Sequence, residues 1–323
     1  MSPVPGFIAG LRTGLLRPSG LSLGLAALTA ALTLLLGLRA ADEDLLRSGR
    51  LAVDPVDDYA FLTAAALRPP PPPGAVVVLG SSALREAIAD PAALATAAGA
   101  PVAALWTAGG LSHLELLVLV EHLPVDPGRL TLLELSERNL SLGAAEAQAL
   151  LDRPRLPLDS PAQDAAAARA GLRPPRRSAA LALRHPGFFL ARLSTLLRRG
   201  PAPLPIQHQV EALAPARPAD YLRWARRLAG WWADLPAESH RNTALYVDLV
   251  EALRARGGAV LLVAAPRNPR VVAEAAQGDP GGPAAAEAAR AAVAQAAGAS
   301  LVDPAAGVGL KPEDYADYAH LVR

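Results

Sequence analysis

The chain has 323 residues, and its 31 basic and 30 acidic side chains give a formal net charge of +1, so no global field gathers polyanions and a general nucleic-acid binder is disfavoured. Hydrophobic residues make up 52% and charged ones 19%, a balance that excludes whole-chain disorder and is more apolar than an ordinary soluble domain. There is no cysteine, which excludes disulfides, thiolate metal sites and a cysteine nucleophile.

Arg17 and Arg39 bracket 21 uncharged residues. At about 1.5 Å per residue they reach roughly 30 Å, the thickness of a hydrocarbon core. Residues 18–39 are therefore expected to form one transmembrane helix in the lipid bilayer. The alternative is a cleaved signal peptide, whose apolar region usually spans about 7–15 residues; here Leu38 and Arg39 spoil the small-residue pattern before a cut near Ala40 or Ala41. Arg12 and Arg17 precede the span while Asp42, Glu43 and Asp44 follow it. The positive-inside bias then places residues 1–17 in the cytoplasm and the main domain outside.

Residues 40–74 read as a juxtamembrane segment that ends in Pro69 to Pro73, a stiff polyproline II spacer. Beyond it, residues 75–323 read as one α/β domain. Short apolar runs at Ala75 to Leu79, Pro101 to Trp106, Leu130 to Leu135, Ala259 to Ala264 and Ser300 to Val302 predict strands. Helical patterns at Ser112 to His122, Leu245 to Arg256 and Ala284 to Ala297 separate most of them. Strands alternating with helices predict a doubly wound, parallel, five-stranded sheet.

The interval from Ser136 to Gly258 is far longer than one crossover needs, so a helical insertion is expected at about 140–245. Within it, Arg169 to Arg199 holds eight arginines and no acidic residue. This stretch reads as a solvated helix face, with an anionic headgroup, glycan or protein partner as the alternative. Tyr221, Trp224, Trp231 and Trp232 fall near helical spacing and read as core packing, with a sugar platform as the alternative.

Open parallel sheets place ligands at the carboxyl ends of their strands, where the first turn reads Gly80, Ser81, Ser82. A serine there lies near backbone N–H groups that stabilise developing negative charge, although serine is also a common helix cap. Neither G-x-G-x-x-G nor a P-loop lysine is present, so no nucleotide cofactor is expected. Near the other end of the chain, Asp317 stands three residues before His320. A carboxylate so placed can fix the imidazole tautomer and leave the second ring nitrogen to take a proton from a nucleophile. Asp314 competes for that orienting role. His113, His122, His185, His208 and His240 show no metal-ligand spacing, and no metal is expected.

Together, Gly80-Ser81-Ser82 and Asp317-x-x-His320 resemble the SGNH (GDSL-like) hydrolase superfamily, whose first block ends a strand with Gly-Asp-Ser and whose last block is Asp-x-x-His. The Gly-Ser-Ser variant, followed by Leu84 and Arg85, looks most like its membrane-anchored branch. That branch includes the D-alanine transfer protein of teichoic acid synthesis and proteins that O-acetylate exported polysaccharides.

The resemblance implies a flavodoxin-like sheet, with Ser82 as nucleophile, His320 as general base and Asp317 as its partner. It implies an oxyanion hole from the backbone of Ser82, from Gly109 or Gly110 in the second block, and from Asn139 in the third. That third block departs from the family's Gly-x-Asn, since it reads Ser136, Glu137, Arg138, Asn139. The implied function is an esterase or O-acyltransferase acting on a glycan or acyl ester outside the bacterial inner membrane, without a cofactor. A membrane-bound O-acyltransferase is the implied protein partner, and a catalytically silent scaffold of an envelope-modification complex is the alternative.

Overall fold

The computed structural model describes residues 24–33, 70–88, 90–107, 112–152, 158–174 and 217–322, with single positions at 194, 197 and 198. In the α/β domain the elements run β1 (Val76–Ser81), α1 (Ser82–Ala87), α2 (Pro91–Ala98), β2 (Val102–Thr107), α3 (His113–Glu121), β3 (Leu130–Leu135), α4 (Glu137–Leu140), α5 (Ala144–Asp152), α6 (Pro161–Arg169), α7 (Pro218–Ala255), β4 (Ala259–Ala264), α8 (Pro269–Gly278), α9 (Gly282–Ala297) and β5 (Ser300–Val302). The five strands form one parallel sheet in the order β2-β1-β3-β4-β5. All five predicted strands are present. β1 runs on through Gly80 and Ser81, because these residues stay in register with Trp106 and Thr107 of β2.

Side-chain alternation along the strands divides the core. Val77, Leu79, Leu105, Leu133, Leu135 and Leu262 pack with Leu114 and Leu117 of α3 and Leu249 of α7 in the larger cluster. Val78 and Val263 join Leu84 of α1 on the other side, flanked by Ile88 and Leu94. Near-continuous apolar strands are what a parallel sheet covered on both faces requires, and each fully buried leucine contributes roughly 1.5–3 kcal/mol.

α7 is 38 residues long, much longer than the predicted stretch from Leu245 to Arg256. Pro236 lies inside it and lacks the N–H that continues a helix. Buried Leu228, Trp232, Leu235, Leu245, Leu249 and Leu253 hold the helix together on either side of the proline. α7 packs against α9, α8, α3 and α4, so the expected insertion boundary at 245 falls inside a central helix. Most of the arginine-rich stretch lies outside the described residues; at its start, Arg169 pairs with Asp248 at 2.7 Å.

Of the expected span 18–39, only residues 24–33 are described, and they are helical and exposed. Among the described residues no helix is long and apolar enough to cross a membrane.

Candidate active site

In this strand order the connections leave β1 in one direction and reach β3 in the other, so the switch point lies between β1 and β3, where open sheets open a crevice at their carboxyl ends. A cavity of about 190 Å³ occupies that place, lined by Ser82, Glu134, Ser136, Asn139, Asp317 and His320 among others. β1 delivers Ser81 as the cap of α1, its Oγ accepting from the Ala83 N–H at 3.2 Å. Ser82 opens the helix, where the first N–H groups have no intrahelical acceptor.

The structure brings Ser82, His320 and Asp317 together across 238 residues of sequence. His320 Nε2 lies 2.7 Å from Ser82 Oγ, and His320 Nδ1 lies 2.7 Å from Asp317 Oδ2. Asp317 Oδ1 also accepts from the backbone N–H groups of Ala319 and His320 at 2.9 and 2.8 Å. Burial would raise this carboxyl, but its bonds to His320 and those two N–H groups outweigh burial and hold it below the usual carboxylate range. An ionised Asp317 requires a proton on Nδ1, which leaves Nε2 as the acceptor for the Ser82 hydroxyl. Asp314 does not compete: its carboxylate accepts from the Lys311 N–H at 2.7 Å and caps a separate turn.

The loop carrying Asp317 and His320 is tied back to the sheet. Ala316 N–H donates to the His320 carbonyl at 2.7 Å, and Tyr315 bridges Leu321. Asn268, fully buried in the loop after β4, donates from Nδ2 to the carbonyls of Pro312 and Asp317 at 3.2 and 3.1 Å. Its own N–H donates to the Tyr318 carbonyl at 2.8 Å. Asn268 thus links the end of β4 to the loop of Asp317 and His320. Sequence reasoning passed over it because its partners lie more than 40 positions away.

Glu134 is a second omission. Its carboxylate accepts from the Ser81 N–H at 2.6 Å and from the Ser81 Oγ–H at 2.7 Å. Burial pushes this carboxyl up, against the lowering effect of the Ser81 bonds and of the nearby His320. Gly80 makes room for the same contact, since a Cβ there would stand 2.7 Å from Glu134 Oε2 and 2.8 Å from Leu84 Cδ2 and push these side-chain ends aside. The available signal was a glutamate in an apolar strand run, because buried carboxylates are rarely left without partners.

Asn139 lines the cavity, and its Nδ2 donates to Tyr246 Oη at 3.2 Å. Tyr246 Oη donates in turn to the Glu134 carbonyl at 3.3 Å, and its ring stacks on buried His113 at 5.0 Å. Gly109 and Gly110, the expected second-block donors, lie outside the described residues.

The tryptophans of α7 separate by face. Trp232 and Tyr221 are buried in the core, as core packing predicts. Trp224 and Trp231 are partly buried against the same core and also line the cavity beside Arg138, Arg227 and Tyr318, which the core reading alone does not give. Tyr318 lies 5.2 Å from each indole and 6.2 Å from the His320 ring. Helical spacing sets the two pairs on adjoining faces of α7, but it does not say which face meets the cavity. Among the described residues, no three His, Asp or Glu side chains are grouped as a metal site.

No family model matches the chain, and a search of curated proteins finds no match either.

Proposed function

We propose that this chain is a serine esterase or O-acyltransferase of the SGNH (GDSL-like) type, with a flavodoxin-like sheet, working through an acyl-enzyme at Ser82. The observation that carries this reading is the continuous hydrogen-bonded line from Ser82 Oγ through both nitrogens of His320 to Asp317. As Ser82 Oγ attacks an acyl carbonyl, His320 Nε2 takes its proton, and Asp317 stabilises the imidazolium that forms. The tetrahedral centre then expels the alcohol, which receives that proton from His320, leaving an ester on Ser82. Water or an acceptor hydroxyl reverses these steps, giving free acid or a transferred acyl ester.

The Ser82 N–H is the first proposed oxyanion donor, with Gly109 or Gly110 and Asn139 as the others. Loss of one such donor costs roughly 10²–10³ in rate elsewhere, so with Asn139 engaged by Tyr246 a slow, selective enzyme is expected. The uncharged stretch 18–38, within the expected span 18–39, and its flanking charges support a single anchor in the bacterial inner membrane, with the domain outside. A cell-envelope or exported glycan suits that location, and a membrane-bound O-acyltransferase is the partner that the family resemblance implies.

The test uses the full chain in detergent, exposed to a fluorophosphonate probe and a small acetyl ester. Labelling and turnover that vanish in Ser82→Ala and His320→Ala support the proposal. A folded parent with neither property points instead to a silent scaffold.

A further inference from the structure

Arg227 sits on α7 at the rim of the cavity that holds Ser82 and His320. Its guanidinium lies 5.6 Å from the Trp224 ring centroid and 5.7 Å from that of Trp231. Two indoles therefore hold one cation, a contact worth about 0.5–1 kcal/mol when exposed and more when dry. Two nearby arginines have carboxylates: Arg223 pairs with Asp220 at 3.0 Å, and Arg267 with Glu137 and Glu287 at 2.9 and 2.8 Å. Among the described residues Arg227 has neither a carboxylate within pairing distance nor a hydrogen bond. A guanidinium held beside aromatic rings and free of a carboxylate keeps N–H groups available, and that fork matches a carboxylate or phosphate.

We propose that Arg227, set between Trp224 and Trp231, binds an anionic group on the sugar substrate next to the reacting ester. This rests on the esterase or acyltransferase reading. The cavity, at about 190 Å³, is smaller than the roughly 300–1,000 Å³ of pockets that engulf drug-sized ligands. It accommodates an acyl group and the edge of a ring, while the rest of a glycan lies outside along the exposed side of α7. Tyr318 touches both indoles and the His320 ring, so a ligand seated on this wall packs against the residue that flanks the general base. A carboxylated sugar and a phosphorylated one present the same chemistry to Arg227.

The test measures binding of galacturonate oligomers, neutral galactose oligomers of equal length and a phosphorylated hexose to the detergent-solubilised full chain, by tryptophan fluorescence and calorimetry. The parent is expected to bind at least one anionic ligand tighter than the neutral oligomer by about tenfold to a hundredfold, the worth of a charge-assisted hydrogen bond. Arg227→Gln should abolish that preference. Arg226→Gln, which alters the adjacent exposed arginine outside the cavity, should retain it. The stronger anionic arm identifies carboxylate or phosphate as the group bound. Equal binding of all three ligands by the parent overturns the proposal, as does equal loss in the two variants. Fluorophosphonate labelling at Ser82 is read in parallel: labelling without anionic preference rejects this subsite alone, whereas absence of labelling rejects the serine mechanism whatever the binding shows.

Discussion

Glu134 holds Ser81 by two bonds, one to its N–H at 2.6 Å and one from its hydroxyl at 2.7 Å, so the residue before the candidate nucleophile hangs from a carboxylate on the next strand. In the SGNH type proposed for this chain, the first block places its carboxylate on the residue before the serine; here Ser81 occupies that position and a carboxylate reaches it from β3. Glu134→Gln keeps the volume but sets an amide N–H against one of the two Ser81 donors. We expect kcat to fall about 10- to 100-fold with KM little changed, because a small displacement of a nucleophile is costly. Gly80→Ala should act in the same direction, since its Cβ would meet Glu134 Oε2. Steady-state kinetics on an activated acetyl ester checks both, and unchanged kcat in Glu134→Gln would remove Glu134 from the positioning of Ser82.

Asn268 joins the loop after β4 to the loop of Asp317 and His320 through three hydrogen bonds. Asn268→Ala should cost about 1–3 kcal/mol of stability, because it removes the side-chain donor to the part-buried Pro312 and Asp317 carbonyls and the acceptor for the Arg270 N–H at the start of α8. Activity should fall further than this destabilisation explains, since the triad geometry loosens. Urea unfolding followed by kinetics well below the midpoint separates the two effects; normal kcat in the folded variant would reduce Asn268 to a structural role.

Asp317→Asn preserves shape but removes the charge that keeps the Nδ1 proton in place. In Ser-His-Asp enzymes this exchange costs roughly 10⁴-fold in kcat by favouring the wrong tautomer, and a loss of about 10³–10⁴-fold is expected here. Asp314→Asn, at a carboxylate that caps a separate turn, should stay within about twofold of the parent. Equal effects of the two changes would contradict the assignment of Asp317.

His113 is fully buried, and burial, with the Arg241 charge adding to it, lowers its pKa from 6.5 to about 3. The unfolded chain takes up this proton first as pH falls. His113 therefore contributes its full stability above pH 6.5, and the contribution is lost as pH drops from 6.5 toward 3, at a rate of at most about 1.4 kcal/mol per pH unit. Chemical unfolding at pH 7 and pH 5 should show a steeper loss in the parent than in His113→Phe. Parallel pH dependence in the two proteins would show that His113 does not titrate in this way.

Much of this arrangement was readable from local pattern. The five strands announced themselves as short valine- and leucine-rich runs, because a sheet covered on both faces makes its strands apolar throughout. Ser82 and the Asp317-His320 pair were legible because a strand-to-helix turn and a three-residue spacing are local features. Glu134 was hidden by its own strand, where its neighbours announce burial and nothing nearby announces Ser81. Pro236 concealed the length of α7, because proline normally ends a helix and only tertiary packing overrides it. The different fates of Trp231 and Trp232, adjacent in sequence yet one at the cavity and one in the core, depend on how α7 rotates against the sheet, which no spacing encodes.

The most direct measurement is the site of covalent modification by a fluorophosphonate, located by peptide mass spectrometry on the full chain. Stoichiometric labelling at Ser82, lost in His320→Ala and slower but still located at Ser82 in Ser81→Ala, which removes the hydroxyl bond to Glu134, is the predicted result. A folded chain that takes no label, or takes it elsewhere than Ser82, would contradict the serine mechanism.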